Sequence, residues 1–141
     1  VNKLGVPSFV FSREEFIAGV PILEKLAEYD VCLIVLAGFM NKISDVILQA
    51  FPGKIVNIHP ALLPKYGGKG MYGMHVHEAV VKASERESGI TIHYINEHYD
   101  EGAIIFQASC PVLPSDTPEE VASKVHALEY AHYPHVIESL L

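Results

Sequence analysis

Three polar residues in this sequence have types and positions suited to chemistry on an acyl group. Asn57 and His59 stand two residues apart at the end of a short apolar run, so their side chains point to the same side while the strand lasts. Asp100 lies in a polar stretch before Gly102, and a carboxylate on such a loop can reach a cleft at a strand end. Spacing alone favours a plainer interpretation, because a lone Asn or His usually satisfies neighbouring groups in a packed core.

Together, an amide, an imidazole and a carboxylate suit the transfer of an acyl group to an amine. The amide of Asn57 can donate to the oxygen that becomes negative in a tetrahedral intermediate, an effect of ~10²- to 10³-fold in rate. Asp100 or His59 can move the proton off the attacking nitrogen, which typically contributes ~10²- to 10⁴-fold. No Ser or Cys stands beside a base in a nucleophile-elbow pattern, so the sequence favours direct transfer over a covalent acyl-enzyme.

The elements that must position these groups alternate between strand and helix patterns. Short apolar or β-rich runs predict strands at 31–37, 55–58, 91–95 and 104–107. Apolar spacing, a capping box at Ser12 and Glu15 and an N-cap at Thr117 predict helices at 13–28, from about 44 to 51, at 78–88 and from 118 onward. Pro134 is expected to kink or split the last of these helices. The alternation predicts an α/β fold, a Rossmann-like open and mostly parallel sheet flanked by helices, with ligands beyond the carboxyl ends of its strands.

Composition narrows the range of partners. The 141 residues fit a single domain, residues 1–141, and the longest apolar run is far too short to cross a membrane. The net charge of -7 and the absence of a basic cluster argue against nucleic acid as a partner. His75, His77 and Glu78 lack a second cluster to complete a metal site, so no metal is predicted. We expect a cytoplasmic protein whose partners are small molecules, and we allow for a homodimer.

The motif around the polar residues resembles that of the folate-dependent formyltransferases. It comprises the run from Asn57 to Pro64 (Asn-Ile-His-Pro-Ala-Leu-Leu-Pro), followed by Asp100, Gly102 and Ile104-Ile-Phe-Gln107. The runs Leu36-Ala-Gly-Phe-Met40 and Glu129-Tyr-Ala-His-Tyr-Pro134 are most similar to the branch of purine biosynthesis. The resemblance implies the formyltransferase fold and transfer of the formyl group of 10-formyltetrahydrofolate to the amino group of glycinamide ribonucleotide, without a metal.

The resemblance also implies a role for each matching residue. Asn57 and His59 would stabilise the oxyanion, and Asp100 would orient His59 and help to move the amine proton. Folate would contact a mainly apolar slot and a polar edge, formed by Leu36, Phe39, Met40, Asn41, Ile43, Ile55, Val56, Asn96, Glu97, His98 and Tyr99. The nucleotide would contact Ile58, Pro60 and Glu129.

The chain departs from the family pattern at two places. Asn41 stands where the family has Arg after Phe-Met, and the sequence begins after the point where the family has a βαβ segment with a Gly-rich turn that holds the substrate phosphate. We therefore expect a catalytic domain that is incomplete at its N-terminus. The glycine-rich run 67–73 lacks the Walker spacing and is interpreted as a surface or lid loop, in which Lys69 could meet a phosphate or a folate tail.

Two other functions stay open at this point. A 10-formyltetrahydrofolate hydrolase would use a similar strand end with water in place of the amine. A folate-binding module without turnover would keep the fold but not the phosphate site. A methionyl-tRNA formyltransferase is disfavoured, because the chain has no basic extension for a nucleic acid.

Overall fold

A single open sheet carries the predicted polar residues in the computed structural model, which describes residues 3–97 and 102–141. Its strands within these ranges are β1 (Ile34–Leu36), β2 (Ile55–His59), β3 (Glu87–Tyr94) and β4 (Ile104–Pro111), in the order β1-β2-β3-β4. β1 and β2 are parallel, whereas β2 with β3 and β3 with β4 are antiparallel. The predicted open α/β sheet is confirmed, and the parallel pairing in this part of the chain lies at its β1–β2 edge.

Helices precede, connect and follow the strands, as the alternating pattern predicted. They are α1 (Arg13–Ala18), α2 (Val20–Glu28), α3 (Asp45–Ala50), α4 (Met74–Lys82) and α5 (Pro118–Ser139). The capping box at α1 is confirmed, because the Ser12 hydroxyl accepts from the Glu15 amide at 3.1 Å and the Glu15 carboxylate accepts from the Ser12 amide at 2.8 Å. At α5 the hydroxyl of the N-cap residue Thr117 accepts from the Glu120 amide at 3.2 Å.

The single helix predicted over 13–28 is wrong, because Gly19 divides it into α1 and α2. Gly19 has a φ of 78°, a left-handed conformation that ends α1 and that glycine adopts at little cost. A Cβ at this position would lie 2.2 Å from the Ser44 hydroxyl oxygen, so the break also lets the α3 cap approach closely. Pro21 then falls in the first turn of α2, where its missing N–H costs nothing.

Two other boundaries differ from the sequence prediction. The helix predicted at 78–88 is α4, which begins at Met74, and β3 already begins at Glu87. The prediction failed because Ser88 and Gly89 have low β propensity, whereas pairing with β4 and burial decide the observed strand. Of the kink or split expected at Pro134, the split does not occur, since α5 continues as one element to Ser139.

The apolar core has two parts that meet at β2. Ile58 belongs to a cluster with residues of β3, α4 and α5, whereas Ile55 packs with Ile43 and Ile47 and with partly buried residues of α2. All five residues of β2 are buried. The strand that carries Asn57 and His59 is therefore held from both sides. Across the described part of the chain, no helix combines the length and apolarity that a bilayer crossing requires.

Candidate active site

A cavity of about 750 Å³ opens at the carboxyl end of β2. Its walls come from the ends of β1 and β2, the loop 67–73, the start of α4 and one face of α5. Asn57, Ile58, His59 and Pro60 all line it. This is where an open α/β sheet usually binds its ligand, and the volume suits a small organic molecule.

The amide of Asn57 is oriented by a buried histidine on the neighbouring strand. Asn57 lies opposite His93 in the β2–β3 pairing, and Asn57 Nδ2 lies 3.4 Å from His93 Nε2. Because Nδ2 can only donate, His93 Nε2 is the acceptor, and the His93 proton sits on Nδ1, which donates to the Tyr94 carbonyl at 3.0 Å. This leaves Asn57 with a second N–H, and its Oδ1 has no hydrogen-bond partner in the described ranges.

The imidazole of His59 is also held in a defined orientation. His59 is 3% exposed, and its Nε2 lies 2.7 Å from the backbone carbonyl oxygen of Tyr66. A carbonyl only accepts hydrogen bonds, so Nε2 carries the proton. The Nε2 side of the ring is therefore directed at the main chain.

Helix α5 closes the opposite side of the cavity. The hydroxyl of Tyr133 donates to the carbonyl of Leu36 at 2.6 Å, which ties the helix to the end of β1. Burial raises the pKa of Tyr133, with a smaller contribution from Glu129. Burial also raises the pKa of Glu129, one turn earlier, while nearby His126 opposes that shift. A partly buried carboxyl group in such a cleft is a recognised mark of a binding site.

Two further histidines line the cavity between α4 and α5. His77 is 2% exposed and meets His126 edge to face, with 6.4 Å between ring centroids. The pKa of His77 is lowered, first by burial and then by the neighbouring His126 and His59. His77 is therefore a neutral group of the wall at neutral pH.

The structure brings most of the predicted site residues to this cavity. Those that line it are Leu36, Phe39, Met40, Asn41, Ile43, Asn57, Ile58, His59, Pro60, Asn96, Glu97 and Glu129. Ile55 and Val56 do not belong to the described lining; they are 1% and 0% exposed, and Ile55 packs in the core beside α3. His98, Tyr99 and Asp100 lie outside the described residues.

Sequence patterns gave no role in the site to several residues that shape it, and His77 was considered only as a metal ligand. His93 orients Asn57 across a strand pairing, Tyr66 holds His59, and His77, His126 and Tyr133 form part of the cavity wall. His77 could have been found as a polar residue on the otherwise apolar face of α4, beside buried Val76 and Val80. The loop 67–73 contributes six residues to the lining, from Gly68 to Gly73. Among the described residues, no three His, Cys, Asp or Glu side chains converge as metal ligands.

Comparison with known proteins gives a consistent result. The profile of the formyl transferase family matches residues 4–137, nearly the whole chain. The chain belongs to the formyl transferase family. As a formyl transferase domain, it is 41% identical over 141 residues to the chloroplastic phosphoribosylglycinamide formyltransferase of Arabidopsis thaliana, covering 96% of the chain and 48% of that protein. It is 40% identical to the Haemophilus influenzae phosphoribosylglycinamide formyltransferase, covering 94% of the chain and 62% of that protein.

The fold of this formyl transferase domain also matches solved structures. The crystal structure of phosphoribosylglycinamide formyltransferase from Anaplasma phagocytophilum superposes with a TM-score of 0.84 at 38% identity, over 94% of this chain and 62% of that one. The chain thus spans about half to two thirds of the length of these relatives.

Proposed function

We propose that this domain transfers the formyl group of 10-formyltetrahydrofolate to the amino group of glycinamide ribonucleotide, a step of purine biosynthesis. The observation that carries the proposal is the pair of oriented polar groups, Asn57 and His59, at the end of a buried strand that opens into a largely apolar cavity. Named phosphoribosylglycinamide formyltransferases at about 40% identity support the choice of substrates.

In the proposed reaction, the amine nitrogen attacks the formyl carbon and the carbonyl oxygen takes up the negative charge. The second N–H of Asn57 donates to that oxygen, and His59 stabilises it in the form of the ring that also carries a proton on Nδ1. The carbon–N10 bond breaks, the amine loses a proton, and N10 of tetrahydrofolate gains one. In this scheme Asp100 accepts or relays the amine proton, a role that the resemblance to the family supports.

The cavity lining offers a chemically suitable surface for each part of the two substrates. The apolar wall formed by Leu36, Phe39, Met40 and Ile43 suits the flat pterin ring, and Asn41, Asn96 and Glu97 offer polar atoms at its edge. Ile55 supports this wall from the core, where it packs with Ile43 in the cluster that also contacts Leu36 and Phe39. The carboxyl group of Glu129 suits the hydroxyls of a ribose, while Ile58 and Pro60 lie against the acceptor side.

We further propose that residues 1–141 form one catalytic domain, which acts on small molecules and binds no nucleic acid. We also propose that it works in the cytoplasm and that a homodimer is one of its assembly states. The net charge of -7 supports the exclusion of a polyanionic partner. Light scattering over a range of protein concentrations reports the assembly state.

A single assay tests the proposed reaction. Tetrahydrofolate formation from 10-formyltetrahydrofolate is followed with and without glycinamide ribonucleotide, and a dependence on the nucleotide supports the transferase. Equal rates without any amine would instead support a hydrolase, and folate binding without turnover would support a binding module. His59→Gln should abolish most of the activity, whereas His75→Gln, an exposed change outside the described cavity lining, serves as the matched control.

A further inference from the structure

One contact that holds His59 is made by the main chain of Tyr66. The 2.7 Å bond from His59 Nε2 ends on the Tyr66 carbonyl oxygen, so the direction of that carbonyl sets the orientation of the ring. The direction of this carbonyl is fixed only if the backbone on either side of it is fixed. Because Gly67 and Gly68 follow Tyr66 immediately, another contact must fix the backbone at this point.

The backbone of Tyr66 adopts a conformation that a bulky residue avoids. Its φ is 57°, in the left-handed region that favours glycine, although a glycine is its direct neighbour. Such conformations persist where the surroundings over-determine them, and they cluster at functional sites. The side chain of Tyr66 must therefore make a contact that a glycine at this position could not make.

That contribution is a tether to the turn after α4. The Tyr66 hydroxyl donates to Glu85 Oε1 at 2.9 Å, and Lys65 Nζ donates to the same oxygen at 3.3 Å. The Tyr66 ring also packs against the core cluster that contains Val80. The bond from Tyr66, followed by that from Lys65, lowers the pKa of Glu85, so this acceptor stays charged at neutral pH.

We infer that Tyr66 is a positioning residue for His59, and that the bond between its hydroxyl and Glu85 holds the Tyr66 carbonyl on the His59 ring. A surface carboxylate thereby fixes the orientation and the Nε2 proton of a buried imidazole 26 residues away in the chain. The catalytic consequence rests on the proposed function, whereas the tether itself does not.

Nuclear magnetic resonance of the whole chain, labelled with ¹⁵N at histidine, tests the tether without any assay of activity. His59→Gln identifies the Nε2–H signal of His59. We expect Tyr66→Phe and Glu85→Ala to speed exchange of that proton with water by at least about fivefold, the effect of losing one hydrogen bond. Glu85→Gln, which keeps an acceptor oxygen, should restore slow exchange.

Glu87→Ala is the matched control, since Glu87 borders the same small cavity as Tyr66 and Glu85 but is not the described partner of the Tyr66 hydroxyl. The thermal unfolding midpoint of each variant shows whether faster exchange merely follows global destabilisation. Exchange at the wild-type rate in both Tyr66→Phe and Glu85→Ala would overturn the inference. So would equal acceleration by Glu87→Ala.

Turnover then separates positioning from plain stability. Tyr66→Phe and Glu85→Ala should each lower kcat by about three- to tenfold with KM unchanged, and the double variant should be no worse than either single one. Additive losses, or a rise in KM alone, would contradict a shared tether. If the chain shows no formyl transfer at all, the proposed function fails while the exchange experiment still decides the tether.

Discussion

Two walls of the same cavity are built in opposite ways. On the strand wall, Asn57 and His59 are buried and each is fixed by a hydrogen bond to a second residue. On the loop wall, residues 67–73, three of the glycines have positive φ, and nothing lies within 4 Å of the place where a Cβ would stand at any of the three. Chemistry needs groups held to a fraction of an ångström, whereas an open loop can adapt to the outline of a ligand. The comparison predicts that substitutions in the strand wall lower turnover and that substitutions in the loop wall weaken substrate binding.

The largest effect is expected at Asn57, the centre of the strand wall. In the proposed reaction, Asn57→Ala removes the N–H that donates to the oxyanion, so kcat should fall by ~10²- to 10³-fold with little change in folate binding. Steady-state kinetics together with a folate binding isotherm measure both. Asn57→Asp is the matched variant, since it keeps the size but replaces the donor by an acceptor. Turnover within threefold of wild type in Asn57→Ala would remove the oxyanion role.

A smaller loss is expected one contact further out, at His93. His93→Leu leaves the Asn57 amide without the acceptor that orients it, so kcat should fall about tenfold, as for the loss of one hydrogen bond. The comparison of kcat with KM and the thermal unfolding midpoint together separate misorientation from lost stability. His132→Leu is the control, because this histidine packs on Phe106 and is absent from the described cavity lining. An unchanged kcat would mean that the strand itself holds the amide.

The strand wall shows how much of the site can be predicted from the sequence. Asn57 and His59 were predicted together because they share one strand, where a period of two decides which side chains meet. The partnership of Asn57 with His93 depends on the register between β2 and β3, which joins positions 36 residues apart. A single sequence does not contain that register, and the same reason hides the bond from His59 to Tyr66.

The helix boundaries show the same limit of sequence-based prediction. The capping residues Ser12 and Thr117 marked the starts of α1 and α5 correctly because their bonds join residues three apart. The break at Gly19 was missed although Gly19 and Pro21 are themselves local signals of a helix end and a helix start. The continuous apolar spacing on either side favoured a single helix, and the close approach of Ser44, which is distant in the chain, could not be seen from the sequence.

An effect of intermediate size, which depends on pH, is expected at Glu129 in the part of the cavity wall formed by α5. Burial raises the pKa of Glu129 above its ordinary value of 4.5, so this side chain becomes protonated, and loses its charge, earlier as the pH falls. Binding of ribose hydroxyls by the carboxylate should therefore weaken in the weakly acidic range, and KM for the nucleotide should rise severalfold there. Glu129→Gln should have the higher KM at every pH and lose this dependence. A wild-type KM that stays flat through this range would exclude the role.

The smallest effect is expected on the loop wall, at Lys69. Lys69→Ala removes the cationic side chain of a loop that can shift to compensate, so KM for one substrate should rise about two- to fourfold, as for a solvent-exposed ion pair, with kcat unchanged. Varying each substrate in turn tells whether the lysine meets a nucleotide phosphate or a folate tail, and the effect should shrink as salt is added. Lys82→Ala, at the far end of α4, is the control for the loss of one positive charge. A fall in kcat without a rise in either KM would instead place the loop with the strand wall, and the contrast between a fixed and an adaptable side of the cavity would be lost.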